Sequence, residues 1–81
     1  MIDKIKQLMQ LKNLQDAIKK EKFEAEKDGV KVIINGGFNV EEIILNPNLD
    51  KEQQEKVLRD CLNEAVKKVQ ASMLQRFSGL V

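Results

Sequence analysis

Histidine is absent from this sequence, which removes the commonest general base, the usual partner of a nucleophile and the commonest zinc ligand together. The carboxylates that stand in pairs, Glu41-Glu42 and Glu52 with Glu55, are the remaining acid and base candidates. They fall where a strand or a helix is expected to face solvent, which gives them no sheltered site in which to work. Lone Cys61 has no partner for an intrachain bridge, and among helical apolar neighbours it reads as a small buried side chain in a reducing compartment. Asn35-Gly36-Gly37 is glycine-rich but lacks the Gly-Lys-Ser/Thr ending of a phosphate loop and falls between two strand patterns, so it reads as a hairpin turn. No catalytic residue is assigned, and no metal, cofactor or small-molecule substrate is expected.

Charge is the remaining chemistry. The net charge is only +1, but its distribution is uneven. Residues 1–22 carry six Lys against Asp3, Asp16 and Glu21; residues 23–50 carry Lys27 and Lys31 against six acidic side chains; residues 51–81 carry six basic against four acidic. A polyanion would approach the two basic ends and avoid the acidic middle. Lys4, Lys12, Lys19, Lys22, Lys67, Lys68 and Arg76 are the candidate phosphate contacts. At about 100° per residue Lys12, Lys19 and Lys22 share one side of a helix, whereas Lys67, Lys68 and Arg76 scatter, and from the sequence alone a solvated face is the stronger reading of these basic residues. Phe23, Phe38 and Phe77 are the only aromatic residues; they suit a core better than a base-stacking platform.

The elements that must position these side chains are legible in the spacing. Ile2, Ile5, Leu8, Met9, Leu11, Leu14 and Ile18 recur at steps of mostly three and four, which predicts an amphipathic helix over about Ile2 to Lys20. Two turn signals, Asp28-Gly29 and Asn35-Gly36-Gly37, then separate three short strand patterns: Phe23 to Lys27, Val30 to Asn35 and Val40 to Asn46. Two tight turns give an antiparallel meander in the order 1-2-3. Pro47 stops the third strand, and Asp50 with Gln53 forms a capping pattern at the start of a second helix. Its stripe of Leu58, Leu62, Val66, Val69, Met73 and Phe77, flanked by Cys61, Ala65 and Leu74, runs to about Phe77. The expected fold is a single two-layer α+β domain over residues 1–81.

That architecture asks for a partner. Val30, Val32 and Ile34, with Ile43 and Leu45, form one apolar face, while Ile33 and Ile44 point the other way. One helix covers one face, and a second helix of this length runs about 40 Å against about 20 Å for a six-residue strand. The overhanging apolar surface predicts a homodimer, with Ile33, Ile44, Leu62, Val66, Val69 and Met73 at the seam. The stretch Met1-Ile2-Asp3-Lys4 lacks the apolar run of a signal peptide and no segment is apolar enough to cross a bilayer, which predicts a cytoplasmic protein without a membrane partner.

Gly29-Val30-Lys31-Val32-Ile33-Ile34-Asn35-Gly36, Ile43-Ile44-Leu45-Asn46-Pro47 and Leu62-Asn63-Glu64-Ala65-Val66-Lys67-Lys68-Val69 resemble, in order and spacing, the hairpin strand, third strand and last helix of the YbaB/EbfC family of bacterial nucleoid-associated proteins. The resemblance implies a homodimer with projecting helical arms that binds duplex DNA in the nucleoid, with a role in nucleoid organisation or gene regulation. Little base readout is expected of a protein that engages phosphates. The alternative reading is an interaction module whose helical groove binds another protein without DNA.

Overall fold

The computed structural model describes residues 16–78. Of the expected first helix, residues 16–20 are helical (α1) and the remainder, with Lys4 and Lys12, lies outside the described residues. Three strands follow, β1 (Lys22–Lys27), β2 (Val30–Asn35) and β3 (Val40–Ile44), and then one long helix, α2 (Lys51–Ser78). The sheet is antiparallel in the order β1-β2-β3, and α2 lies across one face of it, so the α+β class and the meander are as the sequence predicts.

The first turn forms because Asp28 and Gly29 both take positive φ, 51° and 80°, the combination that matches the twist of a two-residue hairpin. The second turn is longer than expected. Asn35 N–H donates to the Asn39 carbonyl at 2.9 Å, and the left-handed residue is Phe38, with φ 62°, not a glycine. The Asn35 side chain makes this possible: its Oδ1 accepts from the N–H groups of Gly37 at 2.8 Å and Asn39 at 3.2 Å. Gly36 serves the packing instead, because a Cβ there would overlap the carbonyl of Ile18.

β3 ends two residues sooner than its sequence pattern suggests, because Asn46 is drawn into other bonds. Its backbone N–H donates to Gln54 Oε1 at 2.7 Å and its Nδ2 to the Asp28 carbonyl at 2.8 Å, tying the first turn to the start of α2. Asp50 Oδ1 then accepts the Gln53 N–H at 2.8 Å and caps the helix, as expected.

The centre of the buried stripe on α2 differs from the expected one. Val57, Cys61, Ala65 and Val69, at steps of four, are fully or nearly fully buried against Ala25, Val30, Val32 and Ile34, whereas Leu58, Leu62, Val66 and Met73 are half-buried. Small side chains let the helix axis approach the sheet, and the larger residues are displaced to one side. Val69 is fully buried in this cluster.

Candidate nucleic-acid interface

α2 runs antiparallel to β1 and is fastened to it by polar contacts. Lys27 Nζ lies 3.2 Å from Asp60 Oδ2, Lys68 Nζ donates to the Glu24 carbonyl at 2.6 Å, and Arg76 Nη2 pairs with Glu21 Oε1. Eight residues of helix and three of extended chain span about the same 10–12 Å, so the contacts at 60, 68 and 76 meet 27, 24 and 21 in turn. Two of the predicted phosphate contacts, Lys68 and Arg76, are therefore part of the clasp between helix and sheet. Lys22 is also engaged, 3.5 Å from Glu41 Oε2.

Lys19 and Lys67 are different. Both are exposed, and neither has a hydrogen bond or an ion pair among the described residues. Lys20, next to Lys19 at the end of α1, is exposed and unpaired in the same sense. α1 ends where the Glu21 N–H donates to the Ile18 carbonyl at 3.1 Å, and the Gly36 N–H then binds the Glu21 carbonyl at 3.1 Å. These bonds place Lys19 and Lys20 at the end of α1 beside Glu21 and its partner Arg76, with Lys19 lying over Gly37, whereas Lys22, opposite Asn35, lies on the sheet face away from α2. Lys67 stands apart, on the outward side of α2, so the structure joins one part of the predicted set and leaves another separate.

Acidic side chains dominate the sheet face away from α2. Residues opposite one another across an antiparallel pair share a face. The pairs Lys22 with Asn35, Glu24 with Ile33, Ile33 with Glu42, and Glu26 with Lys31 therefore place three carboxylates and two ammonium groups on that face. Glu24 Oε1 lies 2.8 Å from Lys31 Nζ, and this hydrogen bond with its charge raises the Lys31 pKa above the ordinary lysine value.

The apolar seam candidates divide between the two faces. Ile33 and Ile44 lie on the acidic face, with Ile44 opposite Lys31. Ile43 pairs with Val32 and Val40 with Ile34, so these two point toward the α2 side, yet they are 44% and 49% exposed because α2 covers β1 and β2 and scarcely reaches β3. Leu62 and Val66 are turned about 160° around the helix from Asp60 and Lys68, which reach β1, and so face the β3 side. Val40 and Ile43 are not among the seam residues the sequence pattern predicts, although their apolar character, with that of Leu45, is legible there. What the sequence did not show was the bulge at Glu41, where Ile33 opposes Glu42 and Ile34 opposes Val40.

The described residues thus form a two-layer α+β domain with a basic corner, an acidic sheet face and an uncovered edge strand, and contain no group of three or more His, Cys, Asp or Glu able to hold a metal ion. The chain matches the YbaB/EbfC DNA-binding family over residues 1–81, and it belongs to that family. No curated protein matches it. Family membership supports a nucleoid-associated, DNA-binding role, and no helix among the described residues is long and apolar enough to cross a membrane.

Proposed function

We propose that the protein binds duplex DNA as a homodimer, through phosphate contacts from basic side chains on its helices, with little preference for sequence, and that it acts in the cytoplasm on the nucleoid. The observation that carries this reading is the end of α1, where Lys19 and Lys20 stand exposed and unpaired among the described residues, close to Arg76 and followed in sequence by Lys22. Such a surface attracts a phosphate backbone. Lys67 adds a contact on the outward side of α2, and Lys4 and Lys12, outside the described residues, complete the proposed set.

The homodimer is supported by the apolar surface beside β3. Val40 and Ile43 are exposed on the α2 side of β3, Leu45 follows at 50% exposure, and Leu62, Val66 and Met73 are only half-buried on α2. Ile33 and Ile44 lie on the opposite face, so a partner that reaches both sets wraps the unpaired edge of β3.

The test is binding to unrelated duplexes of equal length across a salt series, with the mass of the protein read in the same solution. Affinity that falls steeply with salt, is indifferent to sequence and belongs to a species of twice the chain mass is the expected result. No binding at low salt overturns this reading in favour of the protein-binding module, to which the apolar surface beside β3 also lends itself.

A further inference from the structure

Two carboxylates already occupy two of the proposed phosphate-binding cations. Glu21 holds Arg76, and Glu41 holds Lys22. Glu41 is aimed by the bulge in β3 and steadied by its other oxygen, Oε1, which lies 3.4 Å from Asn35 Nδ2. Glu21 is a lone acid within the run Lys19-Lys20-Glu21-Lys22, fixed by the bonds that end α1 and begin β1. Both ion pairs are solvent-accessible, with Arg76 and Glu21 29% and 39% exposed and Lys22 and Glu41 69% and 36%. A guanidinium or an ammonium binds a phosphate oxygen in the same geometry as a carboxylate oxygen, so each acid sits where a phosphate would.

We infer that Glu21 and Glu41 are built-in counter-ions that stand in for DNA phosphates, holding Arg76 and Lys22 in the free protein and ceding them to the duplex on binding. The inference rests on the DNA-binding reading and adds its regulation: affinity is held below what these cations would deliver unopposed. Exchange is feasible here because exposed pairs of this kind are individually weak. It is not available at Lys68, whose partner is the backbone carbonyl of Glu24 and cannot swing away.

The experiment uses the full chain and a short duplex at low salt, with Glu21→Gln, Arg76→Ala, the double variant, and Glu55→Gln as a control that removes an exposed carboxylate with no partner among the described residues. Glu21→Gln is expected to tighten binding by about two- to fivefold beyond the control, the range an exposed ion pair is worth, and the gain is expected to vanish when Arg76 is Ala. Glu41→Gln with Lys22→Ala repeats the cycle at the second pair, in case the first variant disturbs the fold. A gain no larger than the control's, or one that persists without Arg76 and without Lys22, overturns the inference while leaving DNA binding intact. Failure of every protein, wild type included, to bind at low salt overturns the DNA-binding reading itself, and this inference with it.

Discussion

Gly36 lies directly beneath the backbone carbonyl of Ile18, with no room between them for a side chain. This contact seats the end of α1 on the turn between β2 and β3, and the Gly36 N–H secures it by donating to the Glu21 carbonyl. Because the obstacle is backbone, a methyl at position 36 is not relieved by a rotamer change.

Gly36→Ala is therefore expected to cost roughly 1–3 kcal/mol of stability, the usual penalty for overpacking. It should also weaken DNA binding, because Lys19, Lys20, Glu21 and Lys22 all hang from the displaced corner. Urea unfolding and duplex titration of the same variant check both. Gly37→Ala is the comparison: its nearest obstacles are the side chains of Asn35 and Lys19 at 3.2 Å, which yield more readily.

The buried thiol of Cys61 makes stability fall on the alkaline side. Burial, and then the charge of Glu64, raise its pKa above the ordinary 9.0. The unfolded chain loses this proton first as pH rises past 9.0, so the contribution is complete below that value and is lost as pH climbs through the folded one. Lys31, also raised by its carboxylate partner, adds a loss of the same sign at higher pH. Chemical unfolding measured between neutral and alkaline pH should show the decline, and Cys61→Ala should flatten its first part. A native thiol that reacts with an alkylating reagent as fast as the unfolded one would contradict the burial.

Much of this fold was legible because local chemistry decides it. Asp28-Gly29 could form only a tight turn, β-branched Val30, Val32 and Ile34 suited a covered strand, and Asp50 marked a helix start. Where the elements lie against one another was harder to read. Hydropathy favoured Leu58, Leu62 and Val66 for the centre of the α2 contact, but close approach favours small volume, and Cys61 and Ala65 took that place. The roles of the cations were hidden for a similar reason. Lys68 and Arg76 looked like the other basic residues of α2 until the antiparallel crossing of β1 set them opposite the Glu24 carbonyl and Glu21.

That distinction separates neighbours. Lys68→Ala removes a charge-assisted bond to a backbone carbonyl and is expected to cost about 1 kcal/mol in stability. Lys67→Ala is expected to stay within about 0.5 kcal/mol, as an exposed change away from special features does, while lowering DNA affinity and reducing its salt dependence by roughly one released ion. Thermal unfolding alongside titrations at several salt concentrations resolves the two. Equal stability losses would remove the clasp from Lys68.

The uncovered face of β3 gives the sharpest test of the dimer. Ile43 pairs with Val32 but lies beyond the cover of α2, so its side chain contributes little to the protomer's own core. Ile43→Asn should then unfold with nearly wild-type stability once dilution has removed the dimer, yet dissociate at far higher concentration than the wild type, because an amide would be buried in an apolar seam. Ile44→Asn changes the same chemistry on the opposite face. If sedimentation shows that Ile43→Asn alone shifts the equilibrium toward monomer, the seam lies between β3 and the Leu62 and Val66 side of α2; if Ile44→Asn shifts it equally, the partner wraps the edge. A wild-type chain that sediments as a monomer at micromolar concentration would leave the apolar surface to a different protein.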